Sequence, residues 1–167
     1  MSERVYFNDD MTDRGIEGWY KDVHQKRFVY VKPTNSTYDW LRNFFLPRRA
    51  WRDMAEWLYC FLSNLPERDH VILGVSMGGA VALNLASVIG GIQIKHVYTF
   101  GSPKPGRITL HFPVTEYVHS GDVVPCLPIL APALTKREYV GEWKPFIQAH
   151  ESYQYLINMV LSAEGYE

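Results

Sequence analysis

Apolar and polar positions change period several times along the chain, and each change marks an element. Residues 27–31, Arg-Phe-Val-Tyr-Val, are short and β-branched and predict a strand stopped at Pro33. Residues 36–46 read as a short apolar helix closed by Pro47. Over 48–64, Trp51, Met54, Ala55, Leu58, Phe61 and Leu62 recur at steps of three and four, so this helix has one buried face; Pro66 ends it. The continuous apolar run at 70–75 predicts a buried strand. It leads into a helix of small residues over 77–88, stopped by Gly90-Gly91. Strands follow at 94–100, 114–119 and 137–143, and a last helix at 151–162. Residues 1–25 show no period and read as irregular, with Tyr6, Trp19 and Tyr20 available to dock on the rest. The order strand, helix, strand, helix, strand, strand predicts an α/β fold, a mainly parallel sheet with helices on both faces. No repeat, low-complexity stretch or linker divides the chain, so residues 1–167 are read as one domain.

The most informative segment lies between the 70–75 strand and the 77–88 helix, where Gly74-Val75-Ser76-Met77-Gly78 has the form Gly-x-Ser-x-Gly. A serine on a sharp strand-to-helix turn needs small neighbours, because its backbone is strained and the flanking chains pass close. The helix start adds unpaired N–H groups and a positive dipole end, which favour a developing oxyanion. Met77 N–H is one expected donor. A given serine meets both glycines by chance only about once in 200, so Ser76 is read as a nucleophile.

A serine hydroxyl needs a base to take its proton and a carboxylate to orient that base. On a turn of this kind the chain order is Ser, Asp or Glu, His. Asp122 follows an apolar strand and a glycine turn in Tyr117-Val118-His119-Ser120-Gly121-Asp122, whereas Glu116 lies inside that strand and Glu138 reads as a surface residue. His150 is the one histidine downstream of Asp122. The expected triad is Ser76, Asp122 and His150, with His119 the substitute base if the order rule fails.

Four segments then resemble the class-three lipases, the fungal-lipase-like family of α/β hydrolases. They are the turn at 74–80, the run Thr99-Phe100-Gly101-Ser102-Pro103-Lys104-Pro105-Gly106, the run 118–128 around Asp122, and Lys32-Pro33-Thr34-Asn35-Ser36 with Asp39-Trp40. The last has Lys-Pro where the family motif has Arg-Gly. The resemblance implies a compact α/β-hydrolase-type sheet and a second oxyanion donor at Thr34. It also implies a lid over 36–46, in which Trp40, Leu41, Phe44 and Phe45 form an apolar face above the acyl site, with Arg42, Arg48 and Arg49 nearby. An ordinary helix packed on the core is the other reading of that segment. The intervals from Thr34 to Ser76 and from Asp122 to His150 are short for the family, which implies a reduced acyl groove.

The expected chemistry is carboxylic-ester hydrolysis, as a lipase or esterase, through an acyl-enzyme. Alternatives are a phospholipase, thioesterase or acyltransferase with the same triad, or a non-catalytic lipid- or protein-binding domain of this fold. No metal-ligand spacing is present, and no metal or cofactor is expected. A net charge of −1 gives no field toward nucleic acid, so the expected partner is an ester or lipid substrate, with transient contact at a lipid interface. Oligomeric state is left open by the sequence. The acidic, polar residues 1–10 lack the form of a secretory signal, and no apolar run could span a bilayer. A cytoplasmic location and free thiols at Cys60 and Cys126 are therefore expected.

Overall fold

The computed structural model describes residues 3–7, 15–33, 48–90, 93–127, 137–145, 148–149 and 152–166. Among them, seven strands form one sheet: β1 (Val5–Tyr6), β2 (Ile16–Val23), β3 (Lys26–Pro33), β4 (Asp69–Val75), β5 (Ile94–Phe100), β6 (Val114–His119) and β7 (Arg137–Val140). Their order across the sheet is their order along the chain. β1, β2 and β3 pair antiparallel, and β3 through β7 pair parallel. Helices α1 (Arg48–Ser63), α2 (Met77–Ile89) and α3 (Gln154–Ala163) and a single 3-10 turn at Val124–Cys126 complete the described elements.

This topology dictates where the helices go. Two successive crossovers of one hand, both stepping in the same direction across the sheet, put α1 and α2 on the same face. One buried cluster accordingly joins Trp51, Ala55 and Leu58 of α1, Ala80, Leu83 and Leu85 of α2, and Val29, Val31, Ile72 and Val97 of the sheet. α3 arrives after the last strand and covers the opposite face, where Tyr153, Ile157 and Val160 pack on Phe28, Val71, Leu73 and Phe100. Each fully buried leucine or isoleucine in these layers stabilises the fold by about 1.5–3 kcal/mol before entropy is counted.

The two helices of the first layer differ as their sequences require. α1 buries the stripe Trp51, Met54, Ala55, Leu58 and Leu62 and turns Arg52 and Glu56 outward, where they pair at 2.9 Å. In α2 every residue from Met77 to Ala86 is buried, so it lies between α1 and the sheet. Such a sandwiched helix must be thin, and Gly78, Gly79, Ala80 and Ala82 make it so.

Expected and observed elements diverge in three places. Residues 1–25, read as irregular, contain β1 and β2. β2 and β3 form a hairpin closed by His24-Gln25, between the paired ends Val23 and Lys26. His24 takes the positive φ (53°) that such a turn requires. Without Gly, Asn or Asp at that position, nothing in the sequence announces the turn. The strand expected to run to 143 stops at Val140, because Gly141 turns the chain at φ 72°. The last helix begins at Gln154 rather than 151. The apolar helix expected at 36–46 lies outside the described residues. Both cysteines are exposed free thiols, and no described helix is long and apolar enough to cross a membrane.

Candidate active site

The C-terminal ends of the central parallel strands converge on Ser76, which is the one residue between β4 and α2. Its backbone sits at φ 52°, ψ −131°, a conformation that costs a non-glycine residue about 1–3 kcal/mol and persists only when the surroundings enforce it. Two hydrogen bonds do so: Ser76 N–H donates to the Phe100 carbonyl at 2.9 Å, and the Ser76 carbonyl accepts from Gly79 N–H at 2.9 Å.

The glycines around the turn are there for space. A Cβ on Gly74 would lie 2.5 Å from both the Gly78 carbonyl oxygen and Gly79 Cα, and one on Gly78 would lie 2.4 Å from the Val31 carbonyl oxygen. α2 therefore touches the backbone of β4 at one glycine and that of β3 at the other. Gly79 adds a third approach, with Ser102 Cβ 2.5 Å from where its own Cβ would be. Met77 opens α2, and the first N–H groups of a helix have no partner within it. The expected oxyanion donor at Met77 thus stands at the N-terminus of a 13-residue helix, beside the serine.

Asp122 lies two strand ends farther along, after β6, and is 5% exposed. Gly101 spans the gap. Its N–H donates to the Tyr117 carbonyl at 3.0 Å, and its missing side chain leaves Asp122 Oδ2 only 2.6 Å from the Cβ position. Gly101 also holds φ 62°, so both its conformation and its lack of a Cβ are needed there. The Asp122 carboxylate is held on both oxygens. Oδ1 accepts the Val124 N–H at 3.0 Å, and Oδ2 accepts the Tyr153 hydroxyl at 2.7 Å.

Tyr153 was not singled out by sequence reasoning. It is 1% exposed, stands at the start of α3, and its oxygen also accepts the His119 N–H at 2.8 Å. Burial, followed by the nearby Asp122 charge, pushes its hydroxyl far above the ordinary tyrosine range, so it acts as a proton donor to the carboxylate. Its spacing of three from His150 was the available clue. That clue has meaning only once α3 is known to begin against Asp122.

The other expected residues divide as follows. Ser76, Met77 and Asp122 are brought to one end of the sheet. His150 lies outside the described residues, between Ala149, which is fully buried, and Tyr153, which reaches Asp122. Thr34, Trp40, Leu41, Phe44 and Phe45 also lie outside the described residues; β3 ends at Pro33, immediately before Thr34. His119 is buried, its Nδ1 is 3.0 Å from the Ser120 carbonyl, and its ring packs over Gly141. That placement makes it part of the wall behind Tyr153.

The sheet, its helices on both faces and the strained serine between strand and helix define the class: this is an α/β-hydrolase fold. Residues 17–131 match the model of the family "Lipase (class 3)", and the chain belongs to that family. No curated protein matches it in sequence. Among solved structures, a mutant form of MDLA from Penicillium cyclopium is 18% identical with a TM-score of 0.55; the match covers 83% of this chain and 63% of that one. A Rhizomucor miehei lipase–propeptide complex is 16% identical with a TM-score of 0.54, covering 76% of this chain and 52% of that one. MGS-MChE2, an α/β-hydrolase enzyme from a metagenome of lagoon sediments at Mar Chica, is 13% identical with a TM-score of 0.54, covering 89% of this chain and 95% of that one. The chain thus spans less than two thirds of the fungal structures and nearly all of the metagenomic one.

Proposed function

We propose that the protein hydrolyses carboxylic esters through an acyl-enzyme, with Ser76 as nucleophile, His150 as general base and acid, and Asp122 as the carboxylate that orients His150. The observation that carries this reading is the backbone of Ser76. A non-glycine residue is held in a strained conformation at the mouth of a helix, with a buried, doubly hydrogen-bonded carboxylate across a glycine from it. Strain of this kind serves no packing purpose and places an oxygen where a substrate carbonyl can meet it.

In the proposed sequence His150 takes the Ser76 proton as the oxygen attacks the ester carbonyl. Asp122 fixes the tautomer and stabilises the imidazolium that forms. The N–H groups of Met77 and Thr34 hold the oxyanion. His150 then protonates the departing alcohol, and water repeats the attack to release the acid. No step calls for a metal or organic cofactor. Thr34 follows directly on β3, against whose end Gly78 packs, so both donors would be tied to the same helix–strand contact. The substrate reading is an ester or lipid met in solution or at a lipid interface, with residues 36–46 covering the acyl group.

The test is hydrolysis of p-nitrophenyl esters from acetate to palmitate, with and without micelles, beside Ser76→Ala. Loss of at least about 10³-fold in kcat on removing the nucleophile is expected, with the fold unchanged by circular dichroism. Full activity in a clean Ser76→Ala preparation would remove Ser76 from the mechanism. A preference for thioesters, or net transfer to alcohol acceptors, would keep the triad and change the substrate class.

A further inference from the structure

On the α3 face, toward the edge of the sheet away from Asp122, lies a groove of about 480 Å³ to which no step of the proposed hydrolysis gives a role. Its floor is a row of three rings. Tyr6 and Trp19 are register partners on β1 and β2, and Trp19 and Tyr30 are register partners on β2 and β3. Residues directly opposite in neighbouring strands share a face, and Trp19 and Tyr30 stack at 5.4 Å. The register pair Glu17 and Lys32 closes one end with an ion pair at 3.2 Å. α3 supplies the facing wall, with Ile157 and Leu161 buried and Gln154 and Asn158 exposed one turn apart.

The charged groups of the lining have partners. Lys32 pairs with Glu17, and Arg4 donates from Nε to the Tyr166 hydroxyl at 2.5 Å with its guanidinium 4.7 Å over the Trp19 ring. The neutral groups do not. Trp19 is 7% exposed, and its indole N–H has no hydrogen-bond partner among the described residues. That nitrogen is not sealed inside the protein, as the indole nitrogen of Trp51 is, and the groove is the cavity that Trp19 lines. The Tyr30 hydroxyl has no partner there either, and burial pushes it above the ordinary tyrosine range, so it stays a donor. Gln154 Nε2 donates to Asn158 Oδ1 at 3.1 Å, which leaves the Gln154 carbonyl as an acceptor and the Asn158 amide as a donor. Tyr6, 67% exposed, keeps a ring face open at the rim. A nearly buried donor without a partner costs free energy until something bonds it.

We propose that this groove binds a neutral, hydroxyl-rich ring of hexose size, with a C–H face on the Tyr6 ring and its oxygens on Trp19, Tyr30, Gln154 and Asn158. A pyranose has an apolar face and a polar edge, and this lining offers the matching pair of ring surface and unpaired hydrogen-bonding groups. A charged ligand would have to compete for cations that are already engaged. The volume falls within the ~300–1,000 Å³ of typical small-molecule sites. The groove borders the catalytic end, since Gln154 follows Tyr153, whose hydroxyl holds Asp122, and Lys32 stands two residues before Thr34. The sugar is therefore either the alcohol portion of an ester substrate or a saccharide bound in its own right. Only the first source rests on the ester-hydrolase reading.

Solution NMR on the whole chain tests this, with methyl β-glucoside as the probe. The five tryptophans give five indole N–H signals, and Trp19→Phe identifies that of Trp19. Millimolar glucoside should shift that signal saturably, with intermolecular NOEs from the sugar's ring protons to Tyr6 and Tyr30. Followed on the Tyr6 ring signals, Trp19→Phe and Asn158→Ala should each weaken binding about threefold or more, as loss of one hydrogen bond does. Asn158 is exposed on α3, so its variant decides the matter if Trp19→Phe does not fold. An unmoved Trp19 signal, an equal response to cyclohexanol, or a stronger response to inorganic phosphate would each overturn the proposal. The source of the sugar is read from two hexanoate esters, one of methyl β-glucoside at O6 and one of ethanol. A kcat/KM about tenfold higher for the glucoside ester, reduced by Trp19→Phe, makes the sugar the substrate's alcohol. Equal values beside a saturable glucoside titration make the saccharide a ligand in its own right. Absence of all ester hydrolysis would sink the Ser76 mechanism and leave the titration standing.

Discussion

The bond from Tyr153 to Asp122 does two things at once. It fixes one carboxylate oxygen, and it supplies an acceptor for the buried His119 N–H. Tyr153→Phe deletes both while keeping the ring that packs on Phe100. Leaving a buried donor without its partner should destabilise the protein by about 1–3 kcal/mol, seen as a lower urea midpoint. If the bond contributes about 1.4 kcal/mol to holding Asp122 in place, kcat should fall about tenfold. KM should change little, and the acid limb of the pH profile should move. A variant with lowered stability but unaltered kcat and pH profile would make Tyr153 a structural residue only. Ser76, Met77 and Asp122 were legible because each is tied to a local signal: a glycine-flanked serine, a helix start, a strand end with a glycine turn. Tyr153 and Gly101 were not, since their importance comes from meeting Asp122 from other parts of the chain.

Glycines at the element scale separate conformation from space. Gly78 has its missing Cβ 2.4 Å from the Val31 carbonyl, whereas Gly90, at φ 87°, has nothing within 4 Å. Gly78→Ala must push α2 off β3, the strand that ends one residue before Thr34. An overpacking cost of about 1–3 kcal/mol is expected, together with a fall in kcat/KM of roughly 10²-fold if the turn moves by an ångström. Gly90→Ala should cost about 1–3 kcal/mol of backbone strain and leave kcat/KM unchanged. Equal kinetic effects from the two would show that the helix–strand contact does not set the site. The same contrast explains which elements could be read from sequence. β4, α2, β5 and β6 are continuous apolar or small-residue runs and were placed within a residue or two. β2 was missed because Glu17, Lys21 and Asp22 interrupt its apolar positions and because its hairpin closes on His24-Gln25. Its reason for being a strand lies in β3, with which it pairs over its whole length.

Across the whole molecule, buried histidines and buried carboxyls tie stability to pH in two separate ranges. At the end away from Ser76, burial and then the Arg27 charge hold the His70 ring below the usual imidazole range, against the weaker opposite pull of Asp22 and Asp69. His96 is held low by burial as well, while Glu164 pulls it upward. An unfolded chain takes up protons at both near pH 6.5, whereas the native protein does so only at lower pH. Native stability is therefore fully present above about pH 6.5 and declines as the pH falls through the two depressed midpoints. A second decline belongs to Asp22 and Glu164. Burial pushes each of these carboxyls up, but Arg27 and Arg68 around Asp22, and Tyr98 and Lys26 around Glu164, pull them below their ordinary values. Their contribution persists above the unfolded carboxylate range and is lost as the pH falls through the native values. Urea unfolding between pH 8 and pH 3 should thus show two separate losses. His70→Gln cannot titrate, so it should reduce the loss that begins near pH 6.5 and leave the acid one in place. If the upper loss is unchanged in that variant, the native His70 binds its proton as readily as the unfolded chain does, and the loss belongs to His96.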